Sequence, residues 1–258
     1  MSPGLLKWPE DGYIRRTLRK LRPLRHVRYA GIGISYREEL DGGGTVFGQD
    51  FISFFTARGM PKQKRIFEWC SGPGFISFSL LGHGFCETLC LSDINPDAVA
   101  CCERTIRVNK LGDRVSVYQS DNLKNIPRSE KWDAVVSNPP HFADQYEGEL
   151  RAHDPDWRIH REFFETIGEF LTAGGIVVLQ ENNRGSTVET FRHMIDQSGL
   201  EIVFADGDSS TPTKESGYYY IGIVRRGETP PPWATTTVER VFDSSRNDWV
   251  WRRSEEAA

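Results

Sequence analysis

Asn138-Pro139-Pro140-His141 follows directly on the apolar run Trp132-Asp133-Ala134-Val135-Val136-Ser137. Such a run reads as a buried strand, which places the four residues at its C-terminal mouth. The two prolines contribute no N–H and fix φ, so the mouth is rich in hydrogen-bond acceptors and poor in donors. It suits a planar NH or NH2 group whose lone pair must face an electrophile. The Asn138 side-chain oxygen and the Pro139 carbonyl would accept from the two N–H bonds and turn the lone pair outward. They would also stabilise positive charge developing on the nitrogen. Taken alone, Asn-Pro-Pro-His also describes a tight turn; the strand before it gives the chemical reading.

A second group of residues offers a binding loop. Glu68-Trp-Cys-Ser-Gly-Pro-Gly74 joins the apolar run 65–70 to a helix beginning at Phe75. Gly72 and Gly74 would let the backbone approach a ligand closely, and the helix N-terminus supplies free N–H donors. Dinucleotide folds use similar turns. Here the third glycine of that fingerprint would fall at Ser77, and the acceptor mouth has no place in hydride transfer. Asp93 ends the next strand, where a carboxylate can accept from both hydroxyls of a ribose.

With these residues in view, the chain resembles the class I S-adenosylmethionine-dependent methyltransferases that carry Asn/Asp-Pro-Pro followed by Tyr, Phe, Trp or His. The stretch 68–74 is similar to their first motif, Asp/Glu-x-Gly/Cys-x-Gly-x-Gly. The resemblance implies that Glu68, Cys70, Gly72 and Gly74 face the methionine end of the cofactor, with Asn138 closing on it. It implies that Asp93 holds the ribose, that Ile94 lies against the adenine, and that Asp121-Asn122 meets the adenine amine. It implies catalytic positions at Asn138, Pro139, Pro140 and His141. His141 departs from the Tyr or Phe of many relatives, because imidazole stacks on a smaller area and can also accept or donate. No metal is implied, and the product would be S-adenosylhomocysteine.

Stepping along the chain, strands and helices alternate from Arg65 onward. Thr88–Ser92, Val115–Tyr118, Ala134–Val136 and Ile176–Leu179 read as strands, and Leu200–Phe204 with Tyr218–Val224 as a closing hairpin. Asn95-Pro96 is an N-cap with proline at the first helical position, and Val99, Cys102 and Ile106 make one helical face. Phe163, Phe164, Ile167, Phe170 and Leu171 recur at helical spacing up to Gly174-Gly175. The pattern predicts an α/β fold with a mostly parallel sheet and helices on both faces. The resemblance makes it a Rossmann-like methyltransferase fold of seven strands with the last antiparallel. Residues 1–60 read as a basic arm and glycine-rich cap, 61–226 as the methyltransferase domain, and 227–258 as a Pro/Thr-rich linker and Trp-containing tail.

The 258 residues are 38% hydrophobic with a net charge of −4. Mild acidity argues against indiscriminate nucleic-acid binding, which needs clustered positive charge. Arg15, Arg16, Arg19, Lys20, Arg22, Arg25 and Arg28 are the local exception. They read as a solvated, partly helical arm or as a contact for RNA. No stretch approaches the about 20 apolar residues of a membrane span. Met1-Ser2-Pro3-Gly4 lacks a signal-peptide pattern, and five cysteines show neither disulfide nor Cys-x-x-Cys spacing. A reduced, cytoplasmic protein is expected. The polar stretch 141–162 carries His and Asp without a recognised ligand spacing, so a substrate-gating loop is expected there, not a metal. Phe47, Tyr146 and Trp157 are candidate substrate contacts.

The leading expectation is therefore an N-methyltransferase acting on a conjugated nitrogen, a glutamine-like side-chain amide of a protein or a small metabolite. The resembling family includes glutamine N-methyltransferases of release factors and ribosomal proteins. The alternative is an RNA nucleobase amine methyltransferase, motivated by the arm at 15–28. A non-catalytic cofactor-binding scaffold is the third reading, which intact Asn138-Pro139-Pro140 argues against. Trp249 and Trp251 suit docking on the body, a lid or a homodimer contact.

Overall fold

A computed structural model of the chain describes residues 23–144, 152–207 and 217–254. Its centre is a seven-stranded sheet of β3 (Gln63–Glu68), β4 (Cys86–Asp93), β5 (Val115–Gln119), β6 (Trp132–Ser137), β7 (Leu171–Asn182), β8 (Leu200–Asp206) and β9 (Tyr218–Arg225), in the order β5-β4-β3-β6-β7-β9-β8. The first five run parallel, while β9 is antiparallel to both β7 and β8. The C-terminal ends of β3, β4 and β6 therefore open on one edge of the sheet, as expected for this class.

Period two splits the strand residues between two apolar layers. Ile66, Ala134, Val136 and Val178 join the core on one face, and Phe67, Val135 and Val177 join the core on the other. The first face is covered by α1 (Gly44–Arg58), α2 (Phe75–Gly82) and α3 (Pro96–Val108), the second by α4 (Arg158–Ile167) and α5 (Val188–Gln197). Gly48 lets α1 come down on the start of α2: a Cβ there would stand 2.7 Å from the Phe75 carbonyl oxygen. This close approach brings α1 to the same sheet edge as the loop after β3.

Four details differ from the sequence reading. Arg25 and Arg28 lie in β1 (Arg25–Tyr29), paired antiparallel with β2 (Ile32–Tyr36), and not in a helical arm; residues 15–22 are outside the described residues. The hairpin docks on α3, where Ser35 N donates to Thr105 Oγ1 at 3.0 Å. That second contact turns the buried face of α3 to Ala98, Cys101, Cys102 and Thr105, leaving Val99 half-buried. The Phe163–Leu171 pattern is not one helix. α4 stops at Ile167, residues 168–170 form a single 3-10 turn, and Leu171 already pairs with Trp132. Gly174-Gly175 sits in an irregularity inside β7, since Arg225 pins the carbonyls of Gly168, Leu171 and Thr172 and draws this segment into the sheet.

The stretch expected as a linker is likewise folded. Pro232–Thr235 form a 3-10 turn with Trp233 and Ala234 buried, and β10 (Val238–Asp243) pairs with β11 (Asp248–Arg253). Trp251 is buried edge-on against Phe54 and Tyr220, whereas Trp249 is 53% exposed. Arg58, at the end of α1, explains why the turn stays in place. Its buried guanidinium bonds Asp206, donates to the Ala234 carbonyl at 2.8 Å, and stacks on Phe204. Replacing it by Met would leave Asp206 without its partner. Arg58→Met should lower the unfolding free energy by about 3–5 kcal/mol, the usual effect of breaking a buried pair from one side. Urea denaturation checks this; a loss below about 1 kcal/mol, the scale of an exposed pair, would show that the bridge is not holding the segment.

Candidate active site

The loop after β3 is tied to both neighbouring strands. Trp69 N donates to the Val136 carbonyl at 3.1 Å, and Ser71 N to the Ser92 carbonyl at 2.9 Å. Cys70, Gly72 and Gly74 all take left-handed backbone conformations. The two glycines serve different ends. A Cβ on Gly74 would press within 2.7 Å of Leu91 and Phe78, so this glycine permits packing. A Cβ on Gly72 would meet nothing within 4 Å, so its face opens onto free space.

Glu68 is buried, and its Oε2 accepts from Ser77 N at 2.9 Å and from the Ser77 hydroxyl. The carboxyl thus sits in the first turn of α2, where the helix's free N–H groups lie. Burial, with the nearby Asp93 adding to it, pushes its pKa up to about 8. Asp93 accepts from Gly72 N at 2.7 Å and from Asn95 N at 2.8 Å. These bonds favour its charged form, but burial outweighs them and its pKa is raised. Each of its oxygens accepts one of these bonds and retains acceptor capacity toward a ligand. The Cys70 thiol is pushed well up by burial and by Asp93, which leaves it un-ionised.

Beside Asp93, Ile94 presents an apolar side chain that is 42% exposed. Asp121 pairs with Lys124 at 2.8 Å. Asn122, in a left-handed turn, donates from Nδ2 to the Ile159 carbonyl at 2.8 Å, while its buried Oδ1 has no partner among the described residues. An unpaired buried acceptor is uncommon in a folded protein.

At the mouth of β6, the Ser137 hydroxyl donates to the Trp69 carbonyl and locks this strand end to the loop after β3. Asn138 is half-buried, and its Nδ2 donates to Gln180 Oε1 at 3.0 Å. His141 Nδ1 lies 3.0 Å from the Pro139 carbonyl oxygen. Burial lowers the His141 pKa to about 4, so the imidazole is neutral, Nδ1–H donates to that carbonyl, and Nε2 carries a lone pair. Pro139 is buried and Pro140 half-buried. Where the sequence reading has the Pro139 carbonyl open to an acceptor nitrogen, the structure gives it a bond already made.

Behind the mouth stands a buried group that the sequence reading does not identify. His160 lies between Asp154, with Nδ1 2.7 Å from Oδ2, and Glu181, with Nε2 3.1 Å from Oε1, all three inaccessible to solvent. The Asp154 backbone N also donates to the Phe142 carbonyl, so the group braces the segment after His141 against β7. Trp157 is half-buried and edge-on to His160 and Phe191. Tyr146 and the side chain of Phe47 lie outside the described residues. The signal for Gln180 and Glu181 was present in the sequence, since two polar residues follow the apolar run Ile176–Leu179 where a parallel strand ends.

Residues 33–203 match the family model for the methyltransferase small domain. The chain belongs to this family. Among curated relatives, a release factor glutamine methyltransferase of Clostridium acetobutylicum is 40% identical over 87 residues, covering 31% of this chain and 29% of the relative. A ribosomal protein uL3 glutamine methyltransferase of Francisella tularensis is 26% identical over 130 residues, covering 46% of this chain and 41% of the relative. The chain thus spans less than half the length of these two relatives. A T. thermophilus 16S rRNA methyltransferase solved with AdoMet and guanosine superimposes with a TM-score of 0.53 at 12% identity, over 79% of this chain and 50% of that one. That likeness is one of fold.

Membership of the methyltransferase small domain family implies S-adenosylmethionine, and the residues at this edge fit such a group. The open side of Gly72, the remaining acceptor capacity of Asp93, the exposed Ile94 and the unpaired Asn122 Oδ1 present a backbone cradle, ribose acceptors, an apolar face and an acceptor for an amine. The braced histidine has a consequence for stability. Its charged form is held by Glu181 and Asp154, and despite burial its pKa is raised to about 9 from 6.5. A raised pKa contributes stability that is complete below 6.5 and lost as pH rises through 9. Burial raises the pKa of Glu181, and the His160 charge and hydrogen bond oppose that rise. The thermal midpoint should therefore fall between pH 6.5 and 9, and fall less in His160→Gln; equal slopes for the two proteins would contradict this.

Proposed function

We propose that the chain is an S-adenosylmethionine-dependent N-methyltransferase whose acceptor is a planar conjugated nitrogen, in the first place the side-chain amide of a protein glutamine. The observation that carries the reading is the orientation of Asn138. Its amino group is committed to Gln180, so its Oδ1 is the atom left to receive an N–H at the strand mouth. The glutamine substrates in the names of the curated relatives favour an amide over other acceptors.

In this reading Gly72, Asp93, Ile94 and Asn122 hold the cofactor, with Asp121 at the rim. Glu68 and Gly74 act indirectly, one by capping α2 and the other by letting it pack. When bound, S-adenosylmethionine supplies a methyl group already activated by its sulfonium. The protein's part is to orient the nucleophile. Asn138 Oδ1 accepts one N–H of the acceptor, and the second lone pair of the Pro139 carbonyl or His141 Nε2 accepts the other. The nitrogen lone pair is then turned away from these oxygens and toward the electrophile. The same acceptors stabilise charge as it builds on nitrogen. His141, with its pKa lowered to about 4, is too weak a base to keep the proton, which passes to water.

A second reading, methylation of an RNA nucleobase amine, is favoured by the seven basic residues between Arg15 and Arg28. One experiment separates the two. The protein is incubated with methyl-labelled S-adenosylmethionine and, in parallel, a bacterial release factor, ribosomal protein uL3, or small-subunit rRNA. Label in glutamine of a protein acceptor supports the first reading, label in RNA the second, and no transfer to any acceptor would refute both. On the acceptor that is labelled, Asn138→Ala should lower kcat by about 10²–10³-fold, the usual effect of deleting one such hydrogen bond. Cofactor affinity measured by calorimetry should change by less than about twofold, since transition-state groups act on the reaction and not on ground-state binding. An unchanged rate would remove Asn138 from this role.

A further inference from the structure

Asn138 can serve as an acceptor only if its amide does not flip, and three residues far apart in sequence prevent the flip. We propose that Asp50, Tyr220 and Gln180 are positioning residues that hold the Asn138 oxygen toward the acceptor nitrogen. The proposal rests on the catalytic reading of Asn138 given above.

The direction of the chain is set from one end, because a carboxylate only accepts. Asp50 Oδ2 accepts from Tyr220 Oη at 2.7 Å and from Gln180 Nε2 at 2.9 Å. Tyr220, whose proton points at Asp50, accepts from Gln180 Nε2 at 2.7 Å. Both hydrogens of the Gln180 amino group are then engaged, so its Oε1 must face Asn138 and take Nδ2–H. Reversing Asn138 would set oxygen against oxygen beside a side chain that is wholly buried. The reverse orientation of either amide would break the bonds that join these four residues.

Asp50 is itself held from the far side. Trp251 Nε1 donates to its Oδ1 at 3.3 Å, and Arg240 stands 3.9 Å from the same oxygen. Tyr220 is stacked on Phe54 at 4.0 Å and edge-on to Phe51, both on α1. Tyr220, Arg240 and Trp251 all lie beyond the residues matched by the family model. The C-terminal hairpin of β10 and β11 thus reaches the catalytic mouth through Asp50, which gives its buried tryptophan a role in catalysis without contact with the acceptor.

The test is a mutant cycle with a release factor as acceptor, alongside NMR of the 15N-labelled protein. Gln180→Met keeps the volume and removes the relay. It should lower kcat by about 10²-fold, leave KM and S-adenosylhomocysteine affinity nearly unchanged, and have no further effect on kcat in the Asn138→Ala background. Tyr220→Phe should give a smaller loss in the same direction, and serves if Gln180→Met fails to fold. In NMR, the side-chain amide signals assigned to Asn138 by their loss in Asn138→Ala should shift in both variants. A full additional loss in the double variant would make Gln180 a structural residue and overturn the proposal, as would Asn138 signals unmoved by either change, whatever the acceptor. If Asn138→Ala is itself inactive but Gln180→Met is not, the relay alone falls. If Asn138→Ala keeps full activity, the catalytic reading falls and takes the relay with it.

Discussion

The pairing of β3 with β6 is the constraint on which the site depends. Phe67 lies opposite Val135 and Glu68 opposite Val136, in parallel register. Two loops distant in sequence, 69–74 and 138–141, therefore leave the sheet side by side, and the Ser137–Trp69 bond joins them where they part. A slip of one residue would exchange the two apolar layers and bury what is now presented. The register is well defined because both faces of these strands are buried, one in each core. The aromatic stack of Phe67, Trp132 and Phe170 on one side adds shape to that requirement.

Burial at this edge acts on charge in a consistent way. Glu68 and Asp93 are pushed up and His141 is pushed down, so each is moved toward its neutral form. In the proposed reading, the mouth after β6 works through fixed dipoles, the Asn138 amide and the Pro139 carbonyl. Dipoles held by the fold need no reorganisation when charge develops on a reacting atom, which is the condition for electrostatic stabilisation. His160 with Asp154 and Glu181 is set behind the mouth and serves to brace the segment after His141.

Placing three ionisable groups in an apolar layer is unfavourable unless each finds a partner. Here Asp154 accepts from the backbone N–H groups of Ile159 and His160 as well as from the imidazole, so it also starts α4. Glu181 faces one layer from β7 while its neighbour Gln180 faces the other. One strand end thus supplies both the brace on one side of the sheet and the amide that meets Asn138 on the other.

Much of this was legible in the chain. The alternation of strands and helices, the N-cap at Asn95, the loop 68–74 and the acceptor-rich mouth at 138 are local patterns, carried by side-chain period, by glycine and by proline. These sequence features determined the fold class and the two loops that meet, because secondary structure responds to neighbours within a few residues. The folding of Pro232–Thr235 around Arg58, the rotation of α3 under the β1–β2 hairpin, and the strand character of Leu171 were not legible, since each is imposed by a partner distant in sequence. The same holds for the acceptor orientation of Asn138. An amide has no preferred face of its own, and only the tertiary structure, by setting Gln180, Tyr220 and Asp50 in a row, decides which of its atoms is left for the proposed role.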